Sequence, residues 1–179
     1  PDQRRGGGGG LGPGRQGIGL LQFGSGARGH SHGDGGVANI EQSLAKLQGQ
    51  IINPGQIFSF NDIVGPRTEE NEFQQVPVVL KDKVEPDIEA GVRQVATTLY
   101  KPILLLGVKI IEREISDYYT PALDYCKQGL EATVATSGAD FKFQNTLDFP
   151  VLLEGIAEQG SLTIKALGIR ELPYKIDIR

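Results

Sequence analysis

The chain reads as an α+β protein: two helices packed on a largely antiparallel β-sheet, preceded by a glycine-rich N-terminal extension. Three observations predict this. Two stretches carry apolar residues at helical spacing, one beginning near Ile40 and one near Val92. A run of short β-like segments separated by turn residues fills the C-terminal half. Residues 1–36 hold 15 of the 25 glycines of the 179-residue chain, which divides it into an arm, 1–36, and a body, 37–179.

In the first helix Ile40, Leu44 and Leu47 share one face, Asn39 is placed to cap the start, and Gly49 to end it. Asn53-Pro54-Gly55 is a turn, and Ile57-Phe58-Ser59-Phe60 alternates like a half-buried strand. Val76–Leu80 and Lys83–Val84 flank Lys81-Asp82 as a hairpin. The second helix spans about 91–105, with a stripe of Val92, Val95, Leu99, Ile103 and Leu106; Pro102 is expected to kink or interrupt it. Residues 108–111 read as a strand and 118–128 as irregular. Four β-like segments follow at 130–136, 141–145, 151–156 and 161–167, and 174–178 reads as a possible edge strand.

The arm cannot build a core, because glycine loses the most entropy on ordering. Its one apolar stretch, residues 18–23 with Ile18, Leu20, Leu21 and Phe23, suits a short strand that pairs with a sheet edge on its own domain or a neighbour's. A plain flexible linker is the alternative. The arm carries a net charge of +2 within a chain of −4, leaving −6 on the body, so it can contact an acidic surface such as a neighbouring copy.

One cysteine, Cys126, rules out an internal disulfide. No apolar run reaches the ~20 residues of a membrane helix, and no signal peptide is visible. A start at Pro1 and the lack of methionine fit a processed or trimmed chain, which leaves room for a removed export signal.

Several arm motifs resemble chemistry without its context. Gly24-Ser25-Gly26-Ala27-Arg28-Gly29 fits G-x-G-x-x-G, but no strand-turn-helix unit surrounds it. The Arg4-Arg5 start lacks the interleaved aromatics and basic excess of a nucleic-acid binder. His30, His32 and Asp34 are a weak metal-ligand cluster with no fourth donor, and a solvated polar loop is the far commoner setting for such residues. No cofactor is expected.

The body carries more specific blocks: Asn39-Ile40; Pro54-Gly55-Gln56-Ile57-Phe58-Ser59-Phe60-Asn61; Val64-Gly65-Pro66-Arg67-Thr68; Gln94-Val95-Ala96-Thr97-Thr98-Leu99-Tyr100; Glu112-Arg113; the 129–134 stretch; and Phe141-Lys142-Phe143-Gln144-Asn145. In order and spacing, over about 37–168, they resemble the VanW-like domain of bacterial cell-envelope proteins. The resemblance implies an exported, wall-associated protein at the surface of a bacterium. The family's central motif reads approximately G-G-G-x-C-Q-x-S-T-T-L-Y. Against it, Glu89 and Ala90 replace two glycines, Arg93 the cysteine and Ala96 a serine. The family's His-Ser pair after Glu-Arg is also missing; Glu114-Ile115-Ser116-Asp117 stand there.

Arginine cannot act as the nucleophile that a cysteine at a helix start can be. The resemblance therefore implies a chain without that chemistry. Arg93, Gln94, Thr97, Thr98, Asn61 and Arg67 remain as degenerate motif positions. They either serve structure, capping turns and satisfying buried backbone groups, or line a retained cleft that binds a wall peptide or glycan. The primary expectation is a non-catalytic structural subunit of an extracellular or cell-surface assembly, such as a filament, that self-associates through the arm. A peptidoglycan-binding pseudoenzyme is the alternative, and a wall-modifying enzyme of another mechanism the second alternative.

Overall fold

The computed structural model describes residues 34–80, 83–115, 126, 129–158, 160–174 and 176. The expected arm strand, with Ile18, Leu20, Leu21 and Phe23, lies outside them, as do His30 and His32. The α+β class holds. The elements run α1 (Asp34–Leu47), β1 (Ile51–Ile52), β2 (Ile57–Ser59), α2 (Phe60–Val64), a 3-10 turn at Glu69–Asn71, β3 (Val76–Leu80), β4 (Lys83–Asp87), α3 (Val92–Leu106), β5 (Lys109–Glu112), β6 (Lys142–Gln144), β7 (Val151–Glu158) and β8 (Ser161–Gly168).

The strands form two antiparallel three-stranded sheets, β1-β7-β8 and β2-β6-β5, and a separate two-stranded ribbon, β3-β4. The single sheet expected from the meander is therefore split. In the ribbon Pro77 faces Pro86 across the ladder. α3 carries the apolar stripe into the core, where Val95, Leu99, Ile103 and Leu106 are buried with Phe141 and Phe143 of one sheet region and Leu153, Leu162 and Ile164 of the other.

Four expectations are corrected. Asn39 does not cap α1, which begins five residues earlier; it lies buried inside the helix, and its side chain donates to the carbonyls of Gln74, Ile88 and Ala90 and accepts from the Gln74 N–H. The first turn of α1 packs glycine on glycine: a Cβ at Gly91, which has φ +89°, would stand 2.4 Å from the Gly36 carbonyl oxygen. Pro102 does not interrupt α3, which runs on to Leu106. It removes only the donor for the Thr98 carbonyl, and the buried ring adds to the core.

Residues 130–136 make no strand, only an isolated bridge, Glu114 to Thr133. Side chains take this segment's backbone instead: Thr97 Oγ1 donates to the Ala132 carbonyl (3.3 Å) and accepts from its N–H (3.0 Å), and Arg113 donates to the Glu131 carbonyl (2.8 Å). Phe60 leaves the strand alternation and starts α2, because Ser59 caps that helix by accepting from the Asp62 N–H. The edge strand expected at 174–178 falls partly outside the described residues; Tyr174 itself donates its hydroxyl to the Leu106 carbonyl at the end of α3.

Candidate functional site

The short strands of the β2-β6-β5 sheet and the two turns beside it place a connected set of polar side chains at the start of α3. At its centre Asp140 is buried and takes three donors: Ser59 Oγ (2.6 Å), the Asn61 N–H (2.9 Å) and the Phe141 N–H (2.7 Å). Asn61, on the first turn of α2, donates its amide to the carbonyls of Ala135 and Ala139 and accepts from Arg67 at 2.6 Å. Arg67 follows the Gly65-Pro66 turn, and its side chain is 1% exposed. It also donates to the Gly65 carbonyl, and its guanidinium stands 5.7 Å from the centre of the Phe60 ring.

The third guanidinium nitrogen, Nε, lies 3.4 Å from Glu89 Oε2. Neither atom has a hydrogen-bond partner, although both are buried. The other Glu89 oxygen accepts from the Thr136 N–H and hydroxyl, each at 2.7 Å. Burial pushes the Arg67 guanidinium below its ordinary value, and Glu89 and Asp140 pull against that. Asp87 joins Arg93 to this set: one oxygen accepts from Arg93 (2.5 Å) and the other from the Glu89 N–H (2.8 Å). At the outer rim Lys142 meets Glu112 at 2.8 Å and Asp140 at 3.6 Å; its hydrogen bond to Glu112 is the main cause that raises its pKa.

Of the six motif positions, Asn61 and Arg67 meet directly, and Arg93 joins them through Asp87 and Glu89. Thr97 and Thr98 turn to other tasks: Thr97 holds residue 132, and Thr98 donates back to the Gln94 carbonyl. Gln94 is buried on the same helix. Cys126 stands apart from these hydrogen bonds, and burial, with Glu131 adding to it, pushes its thiol up to about 11, so thiolate is scarce at neutral pH. Ser59 donates to Asp140 while it caps α2, and that carboxylate is also engaged by the Asn61 and Phe141 N–H groups, which makes this a structural pairing. Asp34 opens α1, and among the described residues no group of three or more His, Cys, Asp or Glu is placed to hold a metal. No helix of the described residues is long and apolar enough to cross a membrane.

Residues 35–167 match the family model described as VanW like protein. The chain belongs to the VanW-like family. It is 30% identical over 145 residues to the uncharacterized protein YoaR of Bacillus subtilis (strain 168), covering 81% of this chain and 45% of YoaR. It is 26% identical over 115 residues to the vancomycin B-type resistance protein VanW of Enterococcus faecalis (strain ATCC 700802 / V583), covering 63% of this chain and 42% of that protein. The chain thus spans less than half the length of these bacterial relatives. No solved structure matches it.

Within this VanW-like domain, sequence reasoning missed two residues that organise the site. Asp140 follows Ala139 in a turn, and nothing local marks it as a buried acceptor. Glu89 did carry a signal: it is a charged residue in a stretch where the motif has glycine. Asn145 is a third hub, donating to the carbonyls of Ile52 and Phe149 and so tying the two sheets together.

Proposed function

We propose that this VanW-like domain is non-catalytic and serves at the bacterial cell surface as a structural subunit, with the N-terminal arm docking on a neighbouring copy. The observation that carries the non-catalytic part is Arg93. It stands where the family motif has a cysteine, its side chain is 46% exposed, and its charge is already met by Asp87. The remaining thiol, Cys126, is pushed away from reactivity. Supporting the docking part, β2 and β8 lie at the ends of their sheets, and Ile57 on β2 is 56% exposed.

Because α1 begins at Asp34, removal of residues 1–33 spares every described element. The expected result is that the full chain runs as large particles by light scattering while the truncated chain runs as a folded monomer. Equal particle size for both sinks the structural reading.

A second reading is favoured by one observation: Nε of buried Arg67 meets Glu89 Oε2 as an ion pair at 3.4 Å but makes no hydrogen bond. A site with a donor left over suits a binding module for peptidoglycan peptide or glycan, in keeping with the resistance role in the name of the Enterococcus relative. Retention on purified cell walls is the expected outcome, and passage of all the protein through a wall pull-down rejects it.

A further inference from the structure

We propose that Arg67 and Thr136 form a carboxylate-binding cradle that Glu89 closes from within the chain. The cradle is built from fixed donors. Thr136 presents its N–H and hydroxyl to one oxygen of a carboxylate. Arg67 spends Nη1 on the Gly65 carbonyl and Nη2 on Asn61, which pins the guanidinium plane and leaves Nε free of hydrogen bonds 3.4 Å from the second oxygen of Glu89. Phe60 backs the guanidinium. Such a set, charged donor and neutral donors converging in a dry wall, is what a carboxylate requires.

The internal carboxylate fits it incompletely. Glu89 Oε2 and Arg67 Nε face one another at 3.4 Å, yet neither is hydrogen-bonded. Their ion pair offsets part of the cost of burying them, but the hydrogen bond each could make is missing. A free carboxylate, untethered to the chain, can turn until both oxygens are satisfied. The site also has a solvent side: Glu89 is 16% exposed where Arg67 is 1%. α3 starts just beyond it at Gly91 without a side-chain cap. Asp87, which pairs with exposed Arg93, accepts from the Glu89 N–H and so fixes the backbone at the rim of the site. The ligand class is a small molecule or peptide end bearing a carboxylate. Glu89 then acts as a lock that such a ligand must displace, and the competition sets a threshold for binding.

The inference rests on the binding-module reading above. The test compares wild type with Glu89→Ala by following the Thr136 amide resonance during titration with sodium acetate, with sodium chloride as the control at equal ionic strength. The variant is expected to saturate with acetate on the order of 10 mM, and its melting temperature is expected to rise with acetate but not with chloride. Wild type is expected to bind at least tenfold more weakly. No saturable shift in the variant, or equal binding by wild type, overturns the proposal. Should Glu89→Ala not fold in chloride, refolding yield becomes the readout, and equal yields in acetate and chloride overturn it. If acetate binds the variant as expected but cell walls do not retain the protein, the cradle stands and the wall is the wrong partner.

Discussion

The two three-stranded sheets are held by different means. In β1-β7-β8 the backbone does most of the holding: β7 and β8 pair over eight consecutive positions, from Val151 opposite Gly168 to Glu158 opposite Ser161. Their inward side chains are apolar and regular: Leu153, Leu162, Ile164 and Ala166 are all buried. In β2-β6-β5 the strands are three or four residues long, and the register of β5 on β6 shifts between Ile110 and Glu112. Side chains supply what the ladder lacks. Asn61, Arg67 and Asn145 donate to carbonyls outside the ladders, those of Ala135 and Ala139, Gly65, and Phe149, and Asp140 takes the Asn61 N–H in the first turn of α2. A sheet of the first kind is self-sufficient. One of the second kind must recruit polar residues into its margin, and those residues are the candidate site.

The contrast can be broken most directly at Asp140. Asp140→Ala strips three donors of their acceptor inside the protein and is expected to cost about 3–5 kcal/mol, lowering the melting temperature by roughly 10 °C. In the other sheet Gly155→Ala places a Cβ 2.5 Å from Leu44 Cδ2, the end of a side chain that can swing. About 1 kcal/mol is expected there. Urea unfolding of both variants measures the difference; if Gly155→Ala costs as much as Asp140→Ala, the two sheets do not differ as argued.

The smallest effects sharpen the comparison at opposite ends of the pH scale. Lys142, in the side-chain-held sheet, has a raised pKa, chiefly through its hydrogen bond to Glu112. Its contribution is fully present below the ordinary lysine value and is lost as pH rises through the raised one. Asp148, just before β7, has a lowered pKa because Arg170, just after β8, hydrogen-bonds it. Its contribution is present above the ordinary aspartate value and is lost as pH falls through the lowered one. Lys142→Met should therefore converge with wild type in strong base and Asp148→Asn in acid. The Asp148–Arg170 pair is exposed and the Lys142–Glu112 pair half-buried at the rim, so each gap should be small, and thermal melts across pH check the direction.

The same division explains what was legible in the sequence. α3 was readable to within a residue at each end, because Val92, Val95, Leu99, Ile103 and Leu106 keep one helical stripe. β7 and β8 were readable because apolar alternation is local. α2 was not, since Phe60 continues the alternation of Ile57 and Phe58 and only the Ser59 cap reveals the change. The segment 130–136 looks like a strand by composition, but Thr97 and Arg113, distant in sequence, claim its hydrogen bonds. At the site, motif resemblance located Asn61 and Arg67. Their meeting with Glu89 and Asp140 spans up to 79 positions of chain and leaves no periodic trace.

The proline pair of the β3-β4 ribbon bears on how copies of the domain can meet. Pro77 and Pro86 stand opposite one another, and neither has an N–H. Three residues on, Leu80 and Lys83 make the last pair of the ladder, and because neither proline can donate across it, Pro77 and Pro86 fit a non-hydrogen-bonded pair, where an N–H would point outward. Each rim of the ribbon therefore lacks a donor at the same height. A visiting strand would find a gap there on either side. This steers any strand-to-strand growth away from the ribbon and toward the end strands of the two three-stranded sheets, β1 and β8 in one, β2 and β5 in the other.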